Sequence, residues 1–253
     1  MTAVPAHARE PRSPNRPAVE FELIVPVFGE RERLPATVAR TLRFLARRSW
    51  SSAVVVVDDH SVDGAPDCLD RFAASALGRA VGLHVIGRGE RGKGAAVRRG
   101  IATSSARFVG FADADNARRI EALDPALALL RAGHGAVVAS SDPPGARQPV
   151  RRDATRRRGG APYRGLAPLT LPEIADTRGR FTCFPGPLAR EIVRDCHIDG
   201  FAFDVELLAH VVEAGHDVVE VPAAWTDQAG GMSPARRDGL RSLTGPPGNP
   251  SVG

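Results

Sequence analysis

Long apolar runs are missing from this 253-residue sequence. None approaches the roughly 20 residues that a helix needs to cross a bilayer, so the expectation is a soluble, cytoplasmic chain, with peripheral contact on the inner face of a membrane left open. The first twenty residues are rich in Pro and Arg and lack the apolar centre of a secretory signal. Cysteine is scarce: Cys68, Cys183 and Cys196 are widely spaced and form no C-x-x-C pair, and the seven histidines fall into neither H-x3-H nor H-E-x-x-H. That pattern argues against a disulfide framework and against zinc, and leaves reduced, buried thiols as the expectation. Lysine is nearly absent too. Of 34 basic residues Lys93 is the only lysine, which with abundant Ala, Gly and Pro matches GC-rich coding and weakens the meaning of any single arginine.

The net charge of +5 permits an anionic partner, whether nucleotide, lipid phosphate or nucleic acid. Aromatic residues make up only 5% of the chain. Within the arginine run at 151–164 Tyr163 is the single aromatic residue, too few to stack successive bases, so nucleic acid is not expected as a partner.

What is present is a rhythm. FELIVPVF is a short apolar run of β-formers, and LPATVARTLRFLARR follows with Leu34, Val38, Leu42 and Leu45 at helical spacing. AVVVVDD reads as a second strand and PDCLDRFAASAL as a second helix. VGLHVIG, GKGAAVRRGIATS, ARFVGFAD, IEALDPALALLRAG and GAVVAS continue the alternation to residue 140. Strands this apolar are buried on both faces, and strand–helix repetition builds β-α-β units around a mostly parallel sheet. Residues 1–19 read as a disordered leader and 20–225 as one α/β domain containing a mobile basic loop at 141–175. Beyond that loop come RFTCF, two helices (PLAREIVRDC, FDVELLAHVVEAG) and the strand DVVEVPAAW. Residues 226–253 form a tail with one weakly amphipathic piece, SPARRDGLRSL.

Active groups in such sheets collect at the carboxyl ends of the strands. That rule puts Asp58, Asp59, Asp113 and Asp115 along one edge. Asp113 and Asp115 stand one residue apart in FADADN, and alternate strand residues point the same way, so both carboxylates can face one hard cation such as Mg²⁺ or Mn²⁺. The plain alternatives are loop aspartates or caps for the helix that follows. GRGERGKGAAVRRG invites a phosphate-loop reading. The match fails, because Lys93 is followed by Gly94 rather than Ser or Thr and comes after the third strand. The segment reads as packing with modest electrostatic help from Lys93. Asp204 and Glu206 lie near the start of a helix, where the dipole favours carboxylates.

PVFGERERL, VVVVDDHSVDG, RGKGAAVRRGI and FADADN occur in this order and spacing, followed by ADTRGRF, GFAFDVELL and EVPAAWTD. The chain thereby resembles the family-2 glycosyltransferases of GT-A fold, in particular those that load a sugar from a nucleotide onto dolichyl or polyprenyl phosphate. The resemblance covers residues 20 to about 243 and implies a Rossmann-like single domain. It implies a metal on Asp113 and Asp115 at the donor's diphosphate. Pro26, Phe28, Glu30, Val57, Asp59, Lys93, Asp113 and Ala114 would line the nucleotide-sugar site. Asp176, Asp204 and Glu206 would stand as catalytic or acceptor-side groups. Basic residues in the loop, taken as Arg156, Arg157 and Arg164, would meet an acceptor phosphate, since guanidinium pairs bidentately with phosphate.

Departures cluster on the acceptor side. Asp142 stands where an arginine is usual, Arg180 for a glycine and Thr182 for a lysine, while on the donor side Gly29 stands where Asn is usual. The implied function is transfer of a hexose from a UDP- or GDP-sugar to a phosphate-bearing acceptor by metal-assisted inverting displacement. The alternatives are a retaining transferase on a small anionic acceptor, or a non-catalytic protein that binds anionic surfaces.

Overall fold

In the computed structural model the described residues are 18–28, 31–58, 69–87, 92–113, 117–140, 181–200 and 202–222. The strands are β1 (Phe21–Val27), β2 (Ser52–Asp58), β3 (Leu83–Ile86), β4 (Phe108–Ala112), β5 (Ala136–Ser140), β6 (Phe181–Pro185) and β7 (Val218–Pro222). The helices are α1 (Leu34–Leu45), α2 (Asp70–Ala74), α3 (Ala76–Val81), α4 (Lys93–Thr103), α5 (Leu123–Arg131), α6 (Gly186–Ile192) and α7 (Phe203–Glu213). The calls on the leader, on the basic loop and on the tail from residue 226 lie outside the described residues.

The strands form one seven-stranded sheet in the order β3-β2-β1-β4-β6-β5-β7. Strands β1, β2, β3 and β4 pair in parallel, as do β5 and β7. Strand β6 runs antiparallel to both of its neighbours, β4 and β5. The apolar rhythm predicts the parallel half. It carries no information about the direction of β6, because a buried strand looks alike whichever way it runs.

Each strand feeds two cores, which is why the runs are continuously apolar rather than alternating. Phe21, Leu23, Val25 and Val27 of β1 pack with Leu34, Val38, Leu42 and Leu45 of α1 and with Leu123, Leu127 and Leu130 of α5. Ile24 of the same strand, with Val55, Val57, Val109 and Phe111, packs on the other face against α4, α6 and α7. The predicted stripe of α1 is buried at all four positions.

Two elements differ from expectation. The single second helix is two short ones, because Ser75 takes an extended conformation between them. Its hydroxyl donates to the Phe72 carbonyl at 2.6 Å and accepts from the Gly78 N–H at 3.0 Å. A side chain that serves both helix ends in this way competes with continuing the helix. The helix expected in IEALDPALALLRAG begins as a 3-10 turn over Ala117–Ala122 and becomes α-helical only at Leu123. No helix among the described residues is long and apolar enough to cross a membrane.

Candidate active site

The strand order places β2 and β3 on one side of β1, and β4 on the other. The crevice between the ends of β1 and β4 is therefore a topological switch point, where ligands bind in open α/β sheets. Pro26 ends up half-buried near the end of β1. Phe28 follows as an exposed aromatic ring, 66% accessible. Asp58 closes β2 and pairs in register with Val27. Val57 is 1% exposed and packs in the core beneath α4 with Ile86, Ala96 and Val97. Asp113 follows the last residue of β4 with its side chain 22% exposed.

The main finding is what Asp113 touches. Lys93, the first residue of α4, places its ammonium between two carboxylates, 2.9 Å from Asp113 Oδ1 and 2.8 Å from Asp204 Oδ2. Its side chain is 9% exposed and that of Asp204 5%. The ammonium lies 5.7 Å from the centroid of the Phe111 ring, within cation–π range. Phe111 packs in turn on Phe184 and Phe203. Burial works to lower the pKa of Lys93, but Asp204 and then Asp113 outweigh it and raise it from 10.5 to about 12. The lysine is charged.

Lys93 stands at a helix N-terminus, the end whose dipole disfavours a cation by roughly 0.3–1 kcal/mol. Two contacts with carboxylates exceed that penalty, at ~4 kcal/mol per pair even at 4 Å and an effective dielectric near 20. Desolvation offsets most of this gain. The cluster thus contributes position more than stability.

Glycines bring these groups together. The N-terminus of α4 packs directly against the loop ahead of α7, where the Gly94 N–H donates to the Asp199 carbonyl at 2.7 Å. Gly92 has φ +120°, and a Cβ on it would lie 2.2 Å from that same carbonyl oxygen. A Cβ on Gly94 would lie 2.3 Å from the Ile198 carbonyl oxygen. The glycines around Lys93 are therefore packing residues, as the sequence suggests. The lysine itself is the centre of an ion cluster with Asp113 and Asp204.

Glu206 does not join the cluster. Its two oxygens accept the backbone N–H groups of His197 and Ile198, each at 2.9 Å, and so pin the loop ahead of α7. Arg98 holds the same loop through the carboxylate of Asp199. Thr182, at the family's lysine position, is 1% exposed inside β6, opposite Phe111 and Val138. Cys183 and Cys196 are free and buried, as expected, and burial pushes both thiols up. Glu30, Asp59, Ala114, Asp115, Arg156, Arg157, Arg164 and Asp176 lie outside the described residues.

Among the described residues no group of three or more His, Cys, Asp or Glu is arranged to hold a metal. Asp113 nevertheless fits a divalent ion. It offers carboxylate oxygen to a hard cation, it stands partly exposed at the strand end, and it already holds one cation, the Lys93 ammonium, at 2.9 Å. The helix-cap alternative fails for Asp113, since α5 starts from Ala122 with no side-chain cap.

The sheet is mixed, with its switch point between β1 and β4 and the acidic Asp113 at the end of β4. Solved structures share the fold. Glucosyl-3-phosphoglycerate synthase from Mycobacterium tuberculosis, in complex with Mn²⁺, UDP and glucosyl-3-phosphoglycerate, superposes with TM-score 0.59 over 88% of this chain and 76% of that one, at 16% identity. A mannosyltransferase from Pyrobaculum calidifontis in complex with GDP-Man and Mn²⁺ gives 0.55 over 86% of this chain at 19% identity, and this chain spans 59% of it. The fold is GT-A.

The profile of glycosyl transferase family 2 matches residues 22–186, and the protein is a member of that family of enzymes. The dolichyl-phosphate beta-glucosyltransferase of Drosophila melanogaster is 28% identical over 232 residues, which cover 86% of this chain and 70% of the relative. The polyprenol monophosphomannose synthase of Mycolicibacterium smegmatis is 28% identical over 244 residues, covering 89% and 84%.

Proposed function

We propose that the enzyme moves a hexose from a UDP- or GDP-sugar to a polyprenyl phosphate, with inversion at the anomeric carbon. The observation that carries this reading is Asp113, set by β4 at the switch point in a chain whose curated relatives are named for dolichyl-phosphate and polyprenol-phosphate chemistry. The nucleotide lies across the ends of β1, β2 and β4, with Phe28 and Pro26 on one wall and Asp59 on the other. Asp113 and Asp115 would hold Mg²⁺ or Mn²⁺ beside the diphosphate. A divalent ion there supplies charge that stabilises the departing nucleoside diphosphate.

The chain's own residues do the rest. An acceptor phosphate is ionised at neutral pH, so the reaction needs orientation rather than a strong general base. Arg156, Arg157 and Arg164 neutralise and orient that phosphate, and Asp176 stands on the acceptor side. Asp204 acts through Lys93, since its buried carboxylate is engaged there. Glu206 acts by anchoring the loop ahead of α7. The enzyme works in the cytoplasm against the inner face of the membrane, where its acceptor resides.

The test is release of nucleoside diphosphate from UDP-glucose or GDP-mannose, with polyprenyl phosphate as acceptor and Mg²⁺ or Mn²⁺ supplied. Asp115→Ala is expected to lower turnover at least about a hundredfold, the scale for removing one preorganised electrostatic group. Equal turnover in the two proteins would sink the metal role. Activity on a small anionic acceptor with retained configuration would replace the lipid reading.

A further inference from the structure

Asp113 is the described carboxylate assigned to the donor's metal, and it is already in contact with a cation. The Lys93 ammonium lies 2.9 Å from it. The same ammonium is held from behind by Asp204 at 2.8 Å. Burial of both partners keeps water from screening the contact, and the Phe111 ring closes one side. Lys93 cannot drift away, because Gly92 and Gly94 seat its helix start against the Ile198–Asp199 carbonyls. A fixed positive charge thus sits where an incoming divalent ion must approach.

We propose that Lys93 is a built-in counter-ion that makes cation uptake conditional on the donor. Without nucleotide, the ammonium neutralises Asp113 and repels a divalent ion. The diphosphate brings negative charge that outweighs this repulsion, so metal and nucleotide enter together. Asp204 is the positioning residue: its carboxylate, 2.8 Å from the ammonium, shares the lysine's charge with Asp113. The idea rests on the metal reading of Asp113 given above and adds that the order of binding is written into this ion cluster. It also accounts for a lysine in a chain whose other basic residues are arginine. A compact ammonium is a point charge that fits between two carboxylates from a helix start, whereas guanidinium is a planar fork with its own directional demands.

The experiment is Mn²⁺ binding to the full chain, read by the loss of the free-ion magnetic resonance signal, without nucleotide and with UDP or GDP. Wild type is expected to bind Mn²⁺ weakly alone and at least about tenfold more tightly with one of the two nucleotides, the scale of removing one nearby like charge. Lys93→Met should tighten binding of Mn²⁺ alone about tenfold and shrink the nucleotide enhancement, by the same Coulomb argument. Asp204→Asn should move the other way, weakening Mn²⁺ binding severalfold.

Opposite signs are the signature, because mere loosening of the site would weaken both variants. Folded state is checked by circular dichroism. If Lys93→Met does not fold, Lys93→Gln takes its place with the same expected tightening, and unchanged or weaker Mn²⁺ binding by that folded variant overturns the proposal. Folded variants that both bind like wild type, or both more weakly, also overturn it while leaving the metal assignment intact. Wild type that takes up no Mn²⁺ with either nucleotide overturns the metal assignment and this proposal together.

Discussion

Asp204 is buried beneath Lys93, and truncating it would leave a buried ammonium with Asp113 as its one remaining carboxylate partner among the described residues. Breaking a buried pair from one side costs far more than the pair contributes net, because the surviving charge keeps its desolvation penalty. Asp204→Ala is therefore expected to lower stability by about 3 kcal/mol, read as a shift of the urea midpoint at unchanged slope. A solvated charge at a helix start would contribute only roughly 0.3–1 kcal/mol. From sequence alone, Asp204 and Glu206 look alike: two acids in the first turn of one helix. The structure separates them, one under a lysine from a distant helix and the other on two backbone amides. Sequence spacing does not reveal which partner a side chain will find across 111 positions.

At the scale of elements, the joint between α4 and the loop ahead of α7 positions the ion cluster. Close approach of backbone there depends on missing side chains. Gly94→Ala would set a Cβ 2.3 Å from the Ile198 carbonyl oxygen and 2.7 Å from Phe203 Cβ. Neither is the free end of a flexible side chain, so α4 or the loop must move. A loss of about 1–3 kcal/mol is expected, the usual cost of overpacking, measured by thermal unfolding. The same displacement would separate Lys93 from Asp204 and so reduce sugar transfer beyond the loss of stability. Signals for the elements themselves are strong where periodicity is long. The stripe of α1 and the apolar runs of β1, β2 and β4 are all read correctly. They are weak where one polar side chain redirects the backbone, as Ser75 does between α2 and α3.

For the whole molecule, the far edge of the sheet is tied to its neighbouring loop by one acid. Asp217, just ahead of β7, accepts the Gly135 N–H at 3.0 Å and contacts His134 Nδ1 at 2.6 Å. Burial works to raise its pKa, but the Gly135 and His134 contacts outweigh it and hold the carboxyl below its ordinary 3.8. The unfolded chain then binds a proton at higher pH than the folded one does. The stability this contributes is complete above about pH 3.8 and is lost as pH falls through the lowered value. Asp217→Asn should therefore lower stability at neutral pH and flatten the acid limb of the stability curve below pH 3.8. An acid limb as steep as that of wild type would show that the contact carries no linkage.

Sequence by itself determined the alternation of buried strands and helices, the strand ends where acids gather, and the membership of a sugar-transferring family. Those properties are local, or lie in ordered motifs, and each can be read one segment at a time. Tertiary structure decided the antiparallel insertion of β6, the burial of Val57 and the meeting of Lys93, Asp113 and Asp204. These depend on which segments become neighbours in space, and a buried charge takes its meaning from its neighbours. Sequence alone assigns the one lysine a place in the nucleotide-sugar site but not its partners, because the two carboxylates that hold it arrive from other elements.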